Sequence, residues 1–185
     1  SNVLGPEIKG QITLYLIVIS YFQVFGTLGL PGSALFFTAK DTNMNTIEVS
    51  LISNLITLSL ILAIISSIFF IFFSHLFISD LLLNINTAFV VITGIPMIIF
   101  SIINIVSQHI FIGLKKFFFQ LLCSSGTPLI FTILIVMFYK NSLSIADIVI
   151  FHLISYFSVS FLSIYLLKKL NLKLNISVNL AFFKS

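Results

Sequence analysis

Charged residues divide this chain into long, mostly apolar runs, each about long enough to cross a bilayer when read as a helix. A helix needs about 20 apolar residues to span a hydrocarbon core of about 30 Å. On that measure the pattern predicts five crossings, over residues 12–30 (continuing towards Thr38), 49–73, 87–110, 117–138 and 148–167. No residue between Asp80 and Lys115 is charged, which is more than one crossing requires. Residues 81–86, where Asn84 and Asn86 stand among leucines, are therefore placed at the interface. The many β-branched residues raise a strand reading. Outer-membrane strands alternate apolar and polar positions over about ten residues, whereas a run such as 68–73 is apolar without interruption. In lipid, such runs satisfy their own backbone hydrogen bonds as helices. The joints are short, and no internal repeat or soluble domain stands out. The expectation is an all-α, polytopic transmembrane bundle over residues 1–170, followed by a cytoplasmic amphipathic linker over 171–185.

The lysines orient that bundle. With five crossings, alternate joints share a side. One side collects Lys40, Lys115, Lys116, Lys168, Lys169, Lys173 and Lys184; the other has Lys9 and Lys140. The positive-inside tendency puts the lysine-rich side in the cytoplasm. Ser1 then begins outside, which leads to the expectation that a helix entering from the cytoplasm precedes it.

Composition agrees with a membrane protein and removes other classes. Apolar residues make up 59% of the chain, against roughly 45–50% in ordinary globular domains. Charged residues make up 8%, against roughly 25%. The net charge of +4 comes from lysines scattered through an apolar chain, and arginine is absent. Arginine is the residue suited to bidentate phosphate and base contacts, so nucleic acid is not an expected partner; membrane lipids are. Cys123 has no partner for an internal disulfide and reads as a small buried apolar residue.

Candidate chemistry is sparse. His75, His109 and His152 fall on different spans, and no carboxylate stands three or four residues from His75 or His109. A metal site needs several converging ligands, so no metal and no cofactor is expected, and each histidine reads as an interfacial or helix–helix hydrogen-bonding residue. No catalytic constellation points to an enzyme. The predicted span centres carry no charge, the usual flag of a functional site in a membrane. Gln23 is the polar residue that stands out in the first span, with two readings open: a helix–helix hydrogen bond, or the lining of a polar cavity. Gly26, Gly29, Pro31 and Gly32 in the first span, Gly94 and Pro96 in the third, and Gly126 and Pro128 in the fourth mark deformable places. Transporters use such places to line cavities, and ordinary membrane helices tolerate them too. Asn175-Ile176-Ser177 matches a glycosylation acceptor, but its expected cytoplasmic position argues against use.

The first 40 residues carry a resemblance. Leu4-Gly5-Pro6-Glu7 is followed by Gly10, then Phe25-Gly26-Thr27-Leu28-Gly29-Leu30, then Ser33-Ala34 and Phe36-Phe37-Thr38-Ala39-Lys40. This resembles the polysaccharide flippases, the Wzx-type O-antigen transporters and related members of the multidrug/oligosaccharidyl-lipid/polysaccharide exporter superfamily. That family has a similar leucine-glycine-proline-glutamate loop after its first helix and a glycine-rich second helix ending in a basic cytoplasmic loop. Beyond residue 40 the likeness rests on helix spacing and on the Gly113-Leu114-Lys115-Lys116 joint. The resemblance implies that the five spans are the second to sixth helices of a two-bundle protein of twelve or more. It implies a place in the bacterial cytoplasmic membrane, an undecaprenyl-diphosphate-linked oligosaccharide as substrate, alternating access, and polysaccharide assembly proteins as partners. Family members use arginines or lysines in a cationic cavity; here only lysines can serve. The candidate substrate contacts are Gln23, Lys40, Lys115 and Lys116, with membrane topology as the lysines' other reading. The alternatives are a multidrug-type exporter of the same superfamily, a membrane-embedded polysaccharide polymerase, or a membrane scaffold. A polymerase would be expected to carry a sizeable external loop with acid/base residues, and the external joints here are small.

Overall fold

The computed structural model describes residues 6–40, 49–74, 86–138 and 143–170. Among them are six helices and no strand: α1 (Pro6–Thr27), α2 (Leu30–Lys40), α3 (Val49–Phe73), α4 (Thr87–Gly113), α5 (Phe117–Phe138) and α6 (Ile145–Lys169). All but α2 contain a stretch long and apolar enough to cross a membrane. The protein is an all-α membrane bundle, with five such helices among the described residues. Residues 81–85, the linker over 171–185, Leu4-Gly5, His75, Lys140 and Asn175 lie outside the described residues.

Local chemistry moves several boundaries from those the apolar pattern predicts. The fifth span starts at Ile145 rather than 148 because Ser144 and Asp147 form a capping box. The Asp147 amide donates to the Ser144 hydroxyl at 3.2 Å, and the Ser144 amide donates to the Asp147 carboxylate at 2.8 Å, which satisfies amide donors that a helix start leaves free. Asn86, expected at the interface, is the N-cap of α4 and accepts from the Ala88 amide at 2.9 Å. The first span begins six residues early, at Pro6, a residue suited to a first helical turn because it has no amide proton to leave unpaired. It does not continue smoothly towards Thr38. It breaks at Leu28 and Gly29, which have φ of 38° and 78°. By contrast, α4 and α5 run as single helices through Pro96 and Pro128.

The bundle is organised around α4, which packs against each of the other five helices. Tyr15 meets Thr93 and Gly113 meets Thr38, so α1 and α2 run in the same direction as α4. Phe100 meets Phe157, and the Ser160 hydroxyl donates to the Phe100 carbonyl at 2.5 Å, tying α6 to α4. Gly126 beside Val159 and Phe131 on His152 set α5 antiparallel to α6. Small residues permit these close approaches, as expected where lipid gives no hydrophobic drive between helices. The least covered helix is α5, in which Cys123 alone is buried.

Candidate functional site

Polar residues from four helices of this bundle meet around one space. On α4, Ser101, Asn104 and Gln108, with Ile105, follow the i, i+3, i+4, i+7 spacing that puts side chains on one helix face. On α5, Ser124, Thr127, Pro128 and Phe131 repeat that spacing, and His152 and Tyr156 stand one turn apart on α6. Gln23 completes the set from α1. Together they line a cavity of about 380 Å³, within the range of about 300–1,000 Å³ typical of small-molecule sites. The lining comes from α1, α4, α5 and α6.

Most hydroxyls elsewhere in the bundle donate back to their own helix, as Ser67 does to Ala63 and Ser155 to Phe151, each at 2.7 Å. In the cavity Ser101 and Ser124 do the same, at 2.9 and 3.2 Å. Asn104 Oδ1, Thr127 Oγ1 and His152 Nδ1 are buried and without a hydrogen-bond partner, as is Ser107 Oγ outside the cavity. Asn104 is only 4% exposed. An unpaired buried polar atom costs about 1–3 kcal/mol, and the three residues that carry these atoms line one space. The His152 ring stacks on Phe131 with centroids 3.8 Å apart and planes at 19°, which fixes the imidazole plane at the wall. Among the described residues, the lining contains no carboxylate, lysine or arginine.

The expected site residues divide. Gln23 is among the residues that line this cavity. Lys115 and Lys116 do not line it. Lys115 and Lys116 form the turn between α4 and α5, seven and eight residues beyond Gln108, and Lys40 ends α2. The parallel run of α2, α4 and α6 brings Lys40, Lys115, Lys116, Lys168 and Lys169 to one end of the bundle, with Lys9 near the other. His109 is taken up by its own helix, with Nδ1 2.8 Å from the Ile105 carbonyl. His152, expected near a span end, faces the cavity. No group of three or more potential metal-ligating side chains converges among the described residues.

Sequence reasoning missed Ser101, Asn104, Gln108, Ser124 and Thr127. Their helical spacing was the available signal, since two neighbouring spans each carry a polar stripe of the same period. A second, apolar groove of about 370 Å³ lies between α1 and α3, lined by aromatic residues including Phe22, Phe25, Phe69 and Phe73. No protein-family model, curated protein or solved structure matches this chain.

Proposed function

We propose that this chain forms a helical unit of a membrane transporter that moves a lipid-linked oligosaccharide across the bacterial cytoplasmic membrane. The polar cavity at Gln23, Asn104 and His152 is the observation that carries this reading. A bundle that serves only as an anchor or scaffold gains nothing from unpaired amide, hydroxyl and imidazole atoms at membrane depth, where each is costly. The motif likeness over residues 4–40 supports the same class. So does the break between α1 and α2, since interrupted helices line transport sites. By the positive-inside tendency the lysine-bearing end faces the cytoplasm. In this reading Lys40, Lys115 and Lys116 meet a diphosphate head group as point charges before the carrier crosses.

A multidrug-type exporter is the second reading, favoured by the aromatic groove between α1 and α3, which suits an amphiphilic drug. Deleting the gene in its own host separates the two. Oligosaccharide transport requires loss of surface polysaccharide and accumulation of the undecaprenyl-linked precursor, with drug susceptibility unchanged. Heightened drug susceptibility with normal surface polysaccharide would replace the proposal with the exporter.

A further inference from the structure

We infer that the cavity between α1, α4, α5 and α6 is a binding site for an uncharged, hydroxyl-rich ligand, a saccharide unit, and not for the anionic part of any substrate. This deepens the transport reading by naming which portion of the carried molecule occupies the site, and it rests on that reading only for how the saccharide arrives. Three features of the wall lead to it.

The first is charge. The lining includes the amides of Gln23, Asn104 and Gln108, the hydroxyls of Ser101, Ser124, Thr127 and Tyr156, and the His152 imidazole, with no charged side chain among the described residues. A diphosphate or carboxylate drawn into a membrane-embedded space without a countercharge pays a large desolvation penalty. A neutral polyol pays far less. The lysines that would attract an anion stand at the end of the bundle instead.

The second is unmet hydrogen bonding. Asn104 Oδ1 is an acceptor, Thr127 Oγ1 can donate or accept, and His152 Nδ1 does one or the other according to its tautomer. These three lie on three different helices around one space. A ligand carrying several hydroxyls, each both donor and acceptor, matches that mixed set. An apolar drug would leave all three unpaired.

The third is the non-polar part of the wall. Phe131 stacked on His152, together with Tyr156 and Pro128, gives the cavity an apolar flank beside its polar groups. A sugar ring presents hydroxyls at its edge and C–H bonds on its faces, so one ring can use both, its C–H groups against the negative face of an aromatic.

The test uses the full chain in nanodiscs of phosphatidylethanolamine and phosphatidylglycerol, free of sugar-based detergent. Tritiated N,N′-diacetylchitobiose and its octyl glycoside serve as probes, the first representing a free saccharide and the second one attached to a chain. Saturable binding of either is expected. It should weaken about tenfold in Asn104→Leu and in the near-isosteric Thr127→Val, the scale of a lost ligand hydrogen bond, and stay at the parental level in Ser20→Ala, outside the cavity. Tighter binding of the octyl glycoside assigns a lipid-borne saccharide, and equal binding assigns a free one. Inorganic pyrophosphate should not compete through this site. Absence of saturable binding to both probes overturns the inference, as does unchanged binding in both cavity variants or competition by pyrophosphate that Thr127→Val abolishes. Gene deletion distinguishes the two proposals. Saccharide binding with normal surface polysaccharide leaves the site standing and removes the transport reading, and lost export without saccharide binding does the reverse.

Discussion

Lys115 holds a backbone conformation that most side chains avoid, with φ of 56°. Its amide donates to the Ile112 carbonyl at 2.9 Å, and the Lys116 amide donates to Phe111 at 2.8 Å. That pair of bonds is a Schellman ending for α4, with a lysine at the left-handed position where glycine is usual. The left-handed conformation costs a non-glycine residue about 1–2 kcal/mol. Lys115→Gly should therefore stabilise the bundle by up to about 1 kcal/mol after allowing for glycine's greater freedom when unfolded. Thermal unfolding of the parent and the variant in detergent checks this, and a lower midpoint in the variant would show that the strain reading is wrong. If the lysine is retained for its charge, Lys115→Gly should also reduce export while raising stability. The charge of Lys115 was visible in the sequence, but its strain was not, because Gly113-Leu114-Lys115-Lys116 offers a glycine two positions earlier as the apparent helix stop. Gly113 instead lies inside the helix, where a Cβ would collide with Thr38 and approach the Leu35 carbonyl to 3.0 Å.

Among the helices, contact geometry decides what each glycine is for. Gly26 lies where α1, α3 and α4 converge, and a Cβ there would press on Ile102 and Ser66. The same crossing is tied by the Ser66 hydroxyl, which donates to the Phe22 carbonyl at 2.6 Å. Gly10, in the first part of α1, has nothing within 4 Å of its Cβ position. Gly26→Ala should destabilise by about 1–3 kcal/mol through overpacking, whereas Gly10→Ala should stabilise by up to about 1 kcal/mol through helix propensity. Parallel thermal denaturation of the two variants reads the sign of each, and equal effects would contradict the packing assigned to Gly26. The spans themselves were legible because hydrophobicity and length almost define a crossing. Their ends were less so. Ser144 and Asp147 start α6 three residues before the apolar run. The break at Leu28-Gly29 needed coordinates, since Gly26, Gly29, Pro31 and Gly32 were all plausible points of interruption.

At the scale of the whole molecule, four helices combine to make a space that none shows alone. Gln23 marked one wall in the sequence. The others depend on which faces of α4, α5 and α6 meet, and helix spacing does not give that rotation. If this space serves transport, it is reachable by water from the lysine-bearing end while the outer faces of the same helices lie in lipid. Substituted-cysteine accessibility tests it most directly. In a Cys123→Ala background, single cysteines at Gln108 and Ser124 line the cavity. Cysteines at Leu129 and Phe161 occupy the outward faces of α5 and α6, where the native side chains are 56% and 67% exposed. Inverted membrane vesicles are treated with a charged, membrane-impermeant methanethiosulfonate. The cavity cysteines should react and the outward-facing pair should stay inert. Inertness at both Gln108 and Ser124, or equal reaction at all four positions, would contradict a polar cavity open to the lysine-bearing side.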